Sequence, residues 1–121
     1  MLGRFLPSGR GCHFARFPLK LQKGDGSSLD RTLDLALRSR GITHLVVAGV
    51  AVEICVNCTV LSASAREYRV TVATDAVGAL EDWTRRACFE IWRRKFARLA
   101  ETDGIVAELR EGRGPRPSVM K

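Results

Sequence analysis

The sequence predicts an α/β fold with a parallel sheet. The first observation is the short run HLVVAGV over residues 44–50, which is apolar, rich in β-branched residues and too short to span a membrane. Such a run is typical of a strand buried on both faces, as in a parallel sheet. The second observation is that apolar residues then recur at helical spacing, at Ile54, Cys55, Cys58, Leu61 and Ala65. The third is an alternating β-branched segment over residues 68–74, which predicts the next strand.

The rest of the chain supplies further elements of the same alternating pattern. Leu33 and Leu37 place an apolar face on a helix over residues 31–40. The helix that carries Cys55 is predicted over residues 53–67. Residues 75–78 are predicted to form a loop, followed by further elements: a long amphipathic helix over 81–99, a short strand over 99–102 and a closing helix over 105–109.

Length and composition indicate one ordinary globular domain. The chain has 121 residues, of which 45% are hydrophobic and 27% charged. The net charge of +7 allows a nucleic-acid partner, but the excess is scattered and no RNA-binding motif is visible, so such a partner is not expected. Four cysteines do not make a disulfide scaffold, which favours a reducing, cytoplasmic location. No apolar segment reaches the length of a membrane helix, and no membrane partner is expected.

Three segments are predicted along the chain. Residues 1–22 form a basic, irregular N-terminal segment without Asp or Glu, in which residues 17–21 are a candidate short strand. Residues 23–110 form the α/β domain. Residues 111–121 are rich in Gly, Pro and Arg and are predicted to be a disordered basic tail.

Cys55 is the candidate nucleophile. It lies in the first turn of the predicted helix, beyond the carboxyl end of the strand, where open α/β sheets bind ligands. A helix N-terminus favours the thiolate form of a cysteine, which is the nucleophilic form. The alternative is a structural cysteine among apolar neighbours. Cys55 and Cys58 also have the C-x-x-C spacing, but no second pair accompanies them, which argues against a zinc site.

The segment GVAVEICVNCT over residues 49–59 resembles the signature of the isochorismatase-like cysteine hydrolases, a strand ending in G-[VI]-A followed by C-V-x-x-T. LRSRGI over 37–42 and VATDA over 72–76 resemble further family segments, and the similarity runs from residue 23 to residue 109. It implies a Rossmann-like, three-layer α/β/α fold with a mostly parallel sheet. It also implies hydrolysis of a small-molecule amide, ester or vinyl ether. The similarity is greatest to ureidoacrylate or carbamoyl-type amidohydrolases, which makes C–N cleavage the expected reaction.

The resemblance also implies the site residues. Cys55 is the nucleophile, and the backbone N–H groups of Ala51 and Cys55 form an oxyanion hole, next to a cis peptide bond between Val50 and Ala51. Lys23 matches the first position of the family segment K-x-x-x-S-x-F-x-x-T and is the implied catalytic lysine. Its alternative is an exposed loop lysine. No cofactor or metal is implied.

The family triad also contains an Asp in a segment V-x-D-x-Q at the end of the first strand, and residues 1–22 contain no Asp. Asp75 is expected to be structural or loop-capping. The chain is therefore interpreted as a truncated family member that lacks its first strand, is weak or inactive, and self-associates through the edge left unpaired. The alternative is a catalytically impaired paralogue or fragment with the family fold, serving in oligomer formation or in no function.

Overall fold

The computed structural model describes residues 3–8, 11–16 and 31–112. Within these ranges the strands are β1 (Gly3–Ser8), β2 (Gly11–Arg16), β3 (His44–Val50), β4 (Arg69–Gly78) and β5 (Arg98–Ala100). The α-helices are α1 (Arg31–Ser39), α2 (Asn57–Ala65), α3 (Asp82–Ile91) and α4 (Thr102–Arg110). Two π-helical segments, π1 (Val52–Val56) and π2 (Trp92–Phe96), directly precede α2 and directly follow α3.

The five strands form one sheet in the order β2-β1-β3-β4-β5. The pairs β3–β4 and β4–β5 are parallel, and helices connect the strands of each pair, as the strand–helix–strand pattern predicts. The pairs β1–β2 and β1–β3 are antiparallel. The α/β fold class predicted from the sequence is confirmed, with an antiparallel hairpin added at one edge.

The core lies between the parallel strands and the helices. Its largest fully buried side chains belong to both strands and helices and include two aromatic residues: Trp92, Tyr68, Leu37, Leu45, Val52, Val60 and Val72. Leu33 and Leu37 are both buried on α1, as their four-residue spacing predicts. Burial of these side chains is the main stabilising contribution to the fold.

The β4 strand is longer than the sequence predicts. Residues 75–78 were expected to form a loop, yet Val77 and Gly78 pair with Gly49 and Val50 of β3. The register shifts between these pairs and the pair Val47–Val72, so β4 carries extra residues in a bulge. The loop prediction is wrong because the bulge turns Asp75 outward without ending the pairing.

The third predicted helix, which corresponds to α3, is shorter than the sequence predicts. The amphipathic pattern over residues 81–99 indicated one helix, but the structure ends it with π2, and Ala97 is extended. Leu99 belongs to β5 and pairs with Val72 of β4. Its apolar side chain fits both a helix face and a strand, so periodicity did not separate the two.

The N-terminal hairpin also differs from expectation. β1 and β2 lie within the segment predicted to be irregular and pair antiparallel with each other. The glycines of this segment argue against a helix but do not exclude strands. β1 pairs with β3 over residues 44–46. The expectation of an unpaired β3 edge is therefore wrong at these positions. Self-association stays a prediction. The candidate strand over 17–21 and residues 113–121 lie outside the described residues.

A polar network joins α1 to the start of β4. The Tyr68 hydroxyl donates to Asp34 Oδ1 at 2.6 Å, and Arg38 Nε donates to the same oxygen at 3.0 Å. Arg38 also donates to the carbonyl oxygen of Arg66 at 2.6 Å and lies over the Tyr68 ring. The network satisfies the polar end of a tyrosine whose side chain is otherwise buried in the core.

We expect Tyr68→Phe to lower the free energy of unfolding by about 1 kcal/mol, because Asp34 loses a hydrogen bond. Burial, followed by the bond to Asp34, raises the pKa of Tyr68 from 10.0 to about 12. The unfolded phenol therefore ionises first, and stability present below pH 10 is lost as the pH rises towards about 12. Urea unfolding from pH 9 to pH 12 should show this loss in the native chain and a smaller one in Tyr68→Phe. If the free energy of unfolding fell equally steeply with pH in both proteins, the raised pKa of Tyr68 would not be the cause of the loss.

Candidate active site

Cys55 lies on a turn that the end of β3 positions. Ala51 follows the strand in an extended conformation, and π1 begins at the next residue. The Ala51 carbonyl oxygen accepts hydrogen bonds from the N–H groups of Ile54 and Val56, each at 3.1 Å. These two bonds flank Cys55 and fix the turn around it. Cys55 is an exposed residue with a free thiol, so a ligand can reach it.

Glycines permit the backbone path into this turn. Gly49 has a φ of +127°, a conformation that L side chains rarely adopt. At Gly78, which pairs with Val50, an added Cβ would lie 2.6 Å from Val50 Cγ1, so the Val50 side chain would have to shift. The peptide bond between Val50 and Ala51 is cis, as the resemblance implies.

The structure brings Cys55 and Ala51 together on one turn, with three residues between them. The single helix predicted over residues 53–67 is divided into π1 and α2, and Cys55 lies in π1. The hydroxyl of Thr59, the last residue of the C-V-x-x-T segment, donates to the Cys55 carbonyl oxygen at 2.8 Å. Lys23 lies outside the described residues, so its role stays a prediction.

The sequence analysis missed Glu53, whose carboxylate joins π1 to the segment that follows β4. Glu53 Oε1 accepts from the Leu80 N–H at 2.9 Å, and Oε2 accepts from the Thr84 hydroxyl at 2.8 Å. The bond from Leu80 is the largest cause that lowers the pKa of Glu53, so the side chain is a carboxylate at neutral pH. No local pattern in the sequence indicates that Glu53 contacts Leu80 and Thr84, which lie 27 and 31 positions further along the chain.

Asn57 was also missed, and it anchors the start of α2. Its Oδ1 accepts from Trp92 Nε1 at 2.8 Å. Trp92 is fully buried, so the bond satisfies an indole N–H that would otherwise be unpaired in the core. The contact ties the residue two positions after Cys55 to π2.

The three cysteines with described side chains differ in environment. Cys55 is exposed, Cys58 is half-buried, Cys88 is buried, and all three are free thiols. Burial, and next the charge of Glu53, raise the pKa of Cys88. Cys88 is therefore unsuited to form a thiolate near neutral pH.

Asp75 has the structural role expected of it. Its Oδ1 accepts from the backbone N–H of Thr102 at 2.8 Å and from the Thr102 hydroxyl at 2.7 Å. These bonds satisfy the first turn of α4 and lower the pKa of Asp75. Asp75 is thus a helix-capping residue supplied by a neighbouring strand.

The described ranges also bear on two other kinds of site. Among those residues, no group of three or more His, Cys, Asp or Glu side chains is arranged to hold a metal ion. No helix in the described part of the chain combines the length and the apolarity that crossing a membrane requires.

Residues 21–104 match the isochorismatase domain family. The chain is 34% identical over 88 residues to the ureidoacrylate amidohydrolase RutB of Variovorax paradoxus, an alignment that covers 66% of this chain and 35% of that protein. The chain spans about a third of the length of the curated relatives it matches.

Two solved structures have similar folds. Nicotinamidase PncA of Bacillus subtilis superimposes with a TM-score of 0.60 at 27% identity, over 62% of this chain and 43% of that one. A structure of YcaC from Pseudomonas aeruginosa with hexane-2,5-diol and covalent acrylamide has a TM-score of 0.63 at 28% identity, over 68% of this chain and 41% of that one. The domain match, the strand–turn–helix arrangement around Cys55 and these likenesses agree, and the chain belongs to the isochorismatase family.

Proposed function

We propose that this chain contributes the nucleophile half of a cysteine-dependent amide-hydrolysing site, with Cys55 as the nucleophile. The observation that carries the proposal is the exposure of Cys55 on π1, directly beyond the carboxyl end of β3. Ligands of open α/β sheets bind at this edge. A free, accessible thiol at this position has the access that a nucleophile needs.

In the proposed reaction, the Cys55 thiolate attacks the carbonyl carbon of a small amide. A C–S bond forms, and the carbonyl oxygen takes the negative charge of the tetrahedral intermediate. The N–H groups of Ala51 and Cys55 are the proposed donors to that oxygen. The C–N bond then breaks, and the nitrogen takes up the proton that the thiol gave up to solvent when it ionised, so that it leaves as ammonia or an amine. Water hydrolyses the resulting thioester and returns the thiol.

The relatives support an amide as the substrate. The names of RutB and PncA state that they act on ureidoacrylate and nicotinamide, and a small amide is the chemistry those names share. Acrylamide is an electrophile, so its covalent attachment in YcaC indicates a nucleophilic group in that protein. Lys23 is proposed to stabilise the thiolate, because an ammonium beside a thiol favours its ionised form.

Thiol labelling tests the proposed nucleophile. At neutral pH and limiting iodoacetamide, we expect Cys55 to be alkylated fastest among the cysteines of the folded chain, because it is exposed whereas Cys88 is buried. Mass spectrometry of digested samples over a time course resolves each cysteine. The same course in denaturant is the control, in which the rates should converge. Faster modification of Cys58 or Cys88 in the folded chain would overturn the assignment of Cys55.

A further inference from the structure

The carboxylate of Glu53 connects π1, which contains Cys55, to the start of α3. Glu53 is the second residue of π1, two positions before Cys55. Its two oxygens accept hydrogen bonds from two separate places, the Leu80 backbone and the Thr84 side chain on α3. A bidentate acceptor of this kind fixes two segments relative to each other, because moving either one breaks a charge-assisted bond.

Exposed apolar side chains occur on both of these segments. Leu80 and the nearby Trp83 are exposed, so neither side chain is held by the core. Val50 and Ile54, which border the cis peptide and Cys55, are exposed apolar residues as well. The Glu53 bonds join π1 to Leu80, which follows β4, and to Thr84 on α3.

We propose that Glu53 is a positioning residue, which holds π1 so that the Cys55 sulfur and the Ala51 and Cys55 N–H groups keep their productive arrangement. This inference rests on the proposed function of Cys55. Glu53 does not touch the reacting atoms and is not a proton donor or acceptor in the reaction. It acts through the turn, whose backbone bonds at Ala51 flank Cys55.

Two reactions of the Cys55 sulfur distinguish the position of the oxyanion donors from the reactivity of the thiol. With p-nitrophenyl acetate, Cys55 Sγ attacks the ester carbonyl carbon, the C–O bond breaks, and p-nitrophenolate leaves with the electron pair, while the thiol proton goes to the buffer. This acylation needs the oxyanion donors. With iodoacetamide, the sulfur displaces iodide and no oxyanion forms. The ratio of the two rates therefore reports the geometry of the donors, and any change in thiolate fraction cancels.

The two Glu53 variants should differ strongly. In Glu53→Ala both bonds are lost, and we expect the acylation-to-alkylation ratio at Cys55 to fall between about tenfold and about 100-fold, the scale of an ångström-sized misplacement. In Glu53→Gln the amide oxygen still accepts from Leu80, and the amide nitrogen donates to the Thr84 hydroxyl, which turns its own proton to the Glu81 carbonyl oxygen 2.7 Å away. That ratio should stay within about threefold of the native value.

A remote ion pair provides the matched control. Arg98 and Glu108 form a half-buried pair that joins β5 to α4, so Glu108→Ala also removes a bidentate carboxylate without touching π1. The acylation-to-alkylation ratio of Glu108→Ala should equal that of the native chain. This should hold even if Glu108→Ala lowers the unfolding midpoint as far as Glu53→Ala does. Both rates are measured on folded protein, with p-nitrophenolate release corrected by the Cys55→Ala background.

The outcomes distinguish this inference from the function on which it rests. If the native chain releases no more p-nitrophenolate than Cys55→Ala, the proposed nucleophile is wrong, and the positioning role falls with it. If the native chain is acylated at Cys55 and Glu53→Ala keeps the native ratio, Glu53 has no positioning role and Cys55 stands. A lowered ratio in Glu53→Ala that Glu53→Gln restores supports the positioning role.

Discussion

Replacing Trp92 by alanine should lower the free energy of unfolding by about 3–5 kcal/mol, the range for deleting a large buried aromatic side chain. Trp92 is fully buried in the core cluster, where its ring contacts Phe89 at a centroid distance of 5.8 Å. The substitution removes this packing and leaves Asn57 Oδ1 without its indole donor. A domain of this size is typically stable by about 5–15 kcal/mol, so the loss is a large part of the total.

Trp83 is the matched control, because it is the same residue type with 63% of its surface exposed. Trp83→Ala should change the free energy of unfolding by about 0.5 kcal/mol or less. Urea unfolding followed by circular dichroism at 222 nm measures both variants. Equal shifts in the two midpoints would contradict the placement of Trp92 as a central core residue.

The second large effect concerns Cys55. Cys55→Ala removes the proposed nucleophile, and we expect the amide hydrolysis that the chain catalyses, weak or not, to fall to the buffer background. The loss should appear in kcat, because the substituted residue takes part in bond formation. Ammonia release from a panel of small primary amides measures the rate.

Cys58→Ala is the control for this experiment. Cys58 lies three residues further along the same segment and is half-buried. Its replacement should leave the rate within about threefold of the native value, since no reacting atom is lost. A rate that survives in Cys55→Ala and disappears in Cys58→Ala would transfer the nucleophile role to the second cysteine.

The strand and turn around Cys55 could be predicted because their signals are local. β3 is a short, mostly apolar run with Gly41 before it and Gly49 near its end, and the helical spacing starts within a few residues of that end. The family signature adds the cis peptide before Ala51, which the structure has. These features depend on neighbouring residues, so a single sequence contains them.

The features that escaped prediction depend on distant residues. The Glu53 bonds join positions 27 and 31 residues apart, and the Asn57–Trp92 bond joins positions 35 apart. Side chains of these types are ordinary on helix surfaces, so nothing in their local pattern marks them as paired. Tertiary packing decides such contacts, and sequence periodicity does not report them.

Two wrong predictions about strands also come from long-range contacts. The bulge of β4 allows Val77 and Gly78 to pair with β3, although the sequence there predicts a loop. The pairing of β1 with β3 is likewise a long-range contact between residues 3–5 and 44–46. In both cases a strand partner elsewhere in the chain overrides the local preference.

Whether Cys55 is the nucleophile is tested most directly by mass mapping of the acyl group after p-nitrophenyl acetate is mixed with the native chain and quenched in acid. The expected result is an acetyl group on the peptide that contains Cys55, formed with the same rate constant as p-nitrophenolate release and absent in Cys55→Ala. An acetyl group on another residue with Cys55 unmodified, at that same rate, would contradict the assignment of this site.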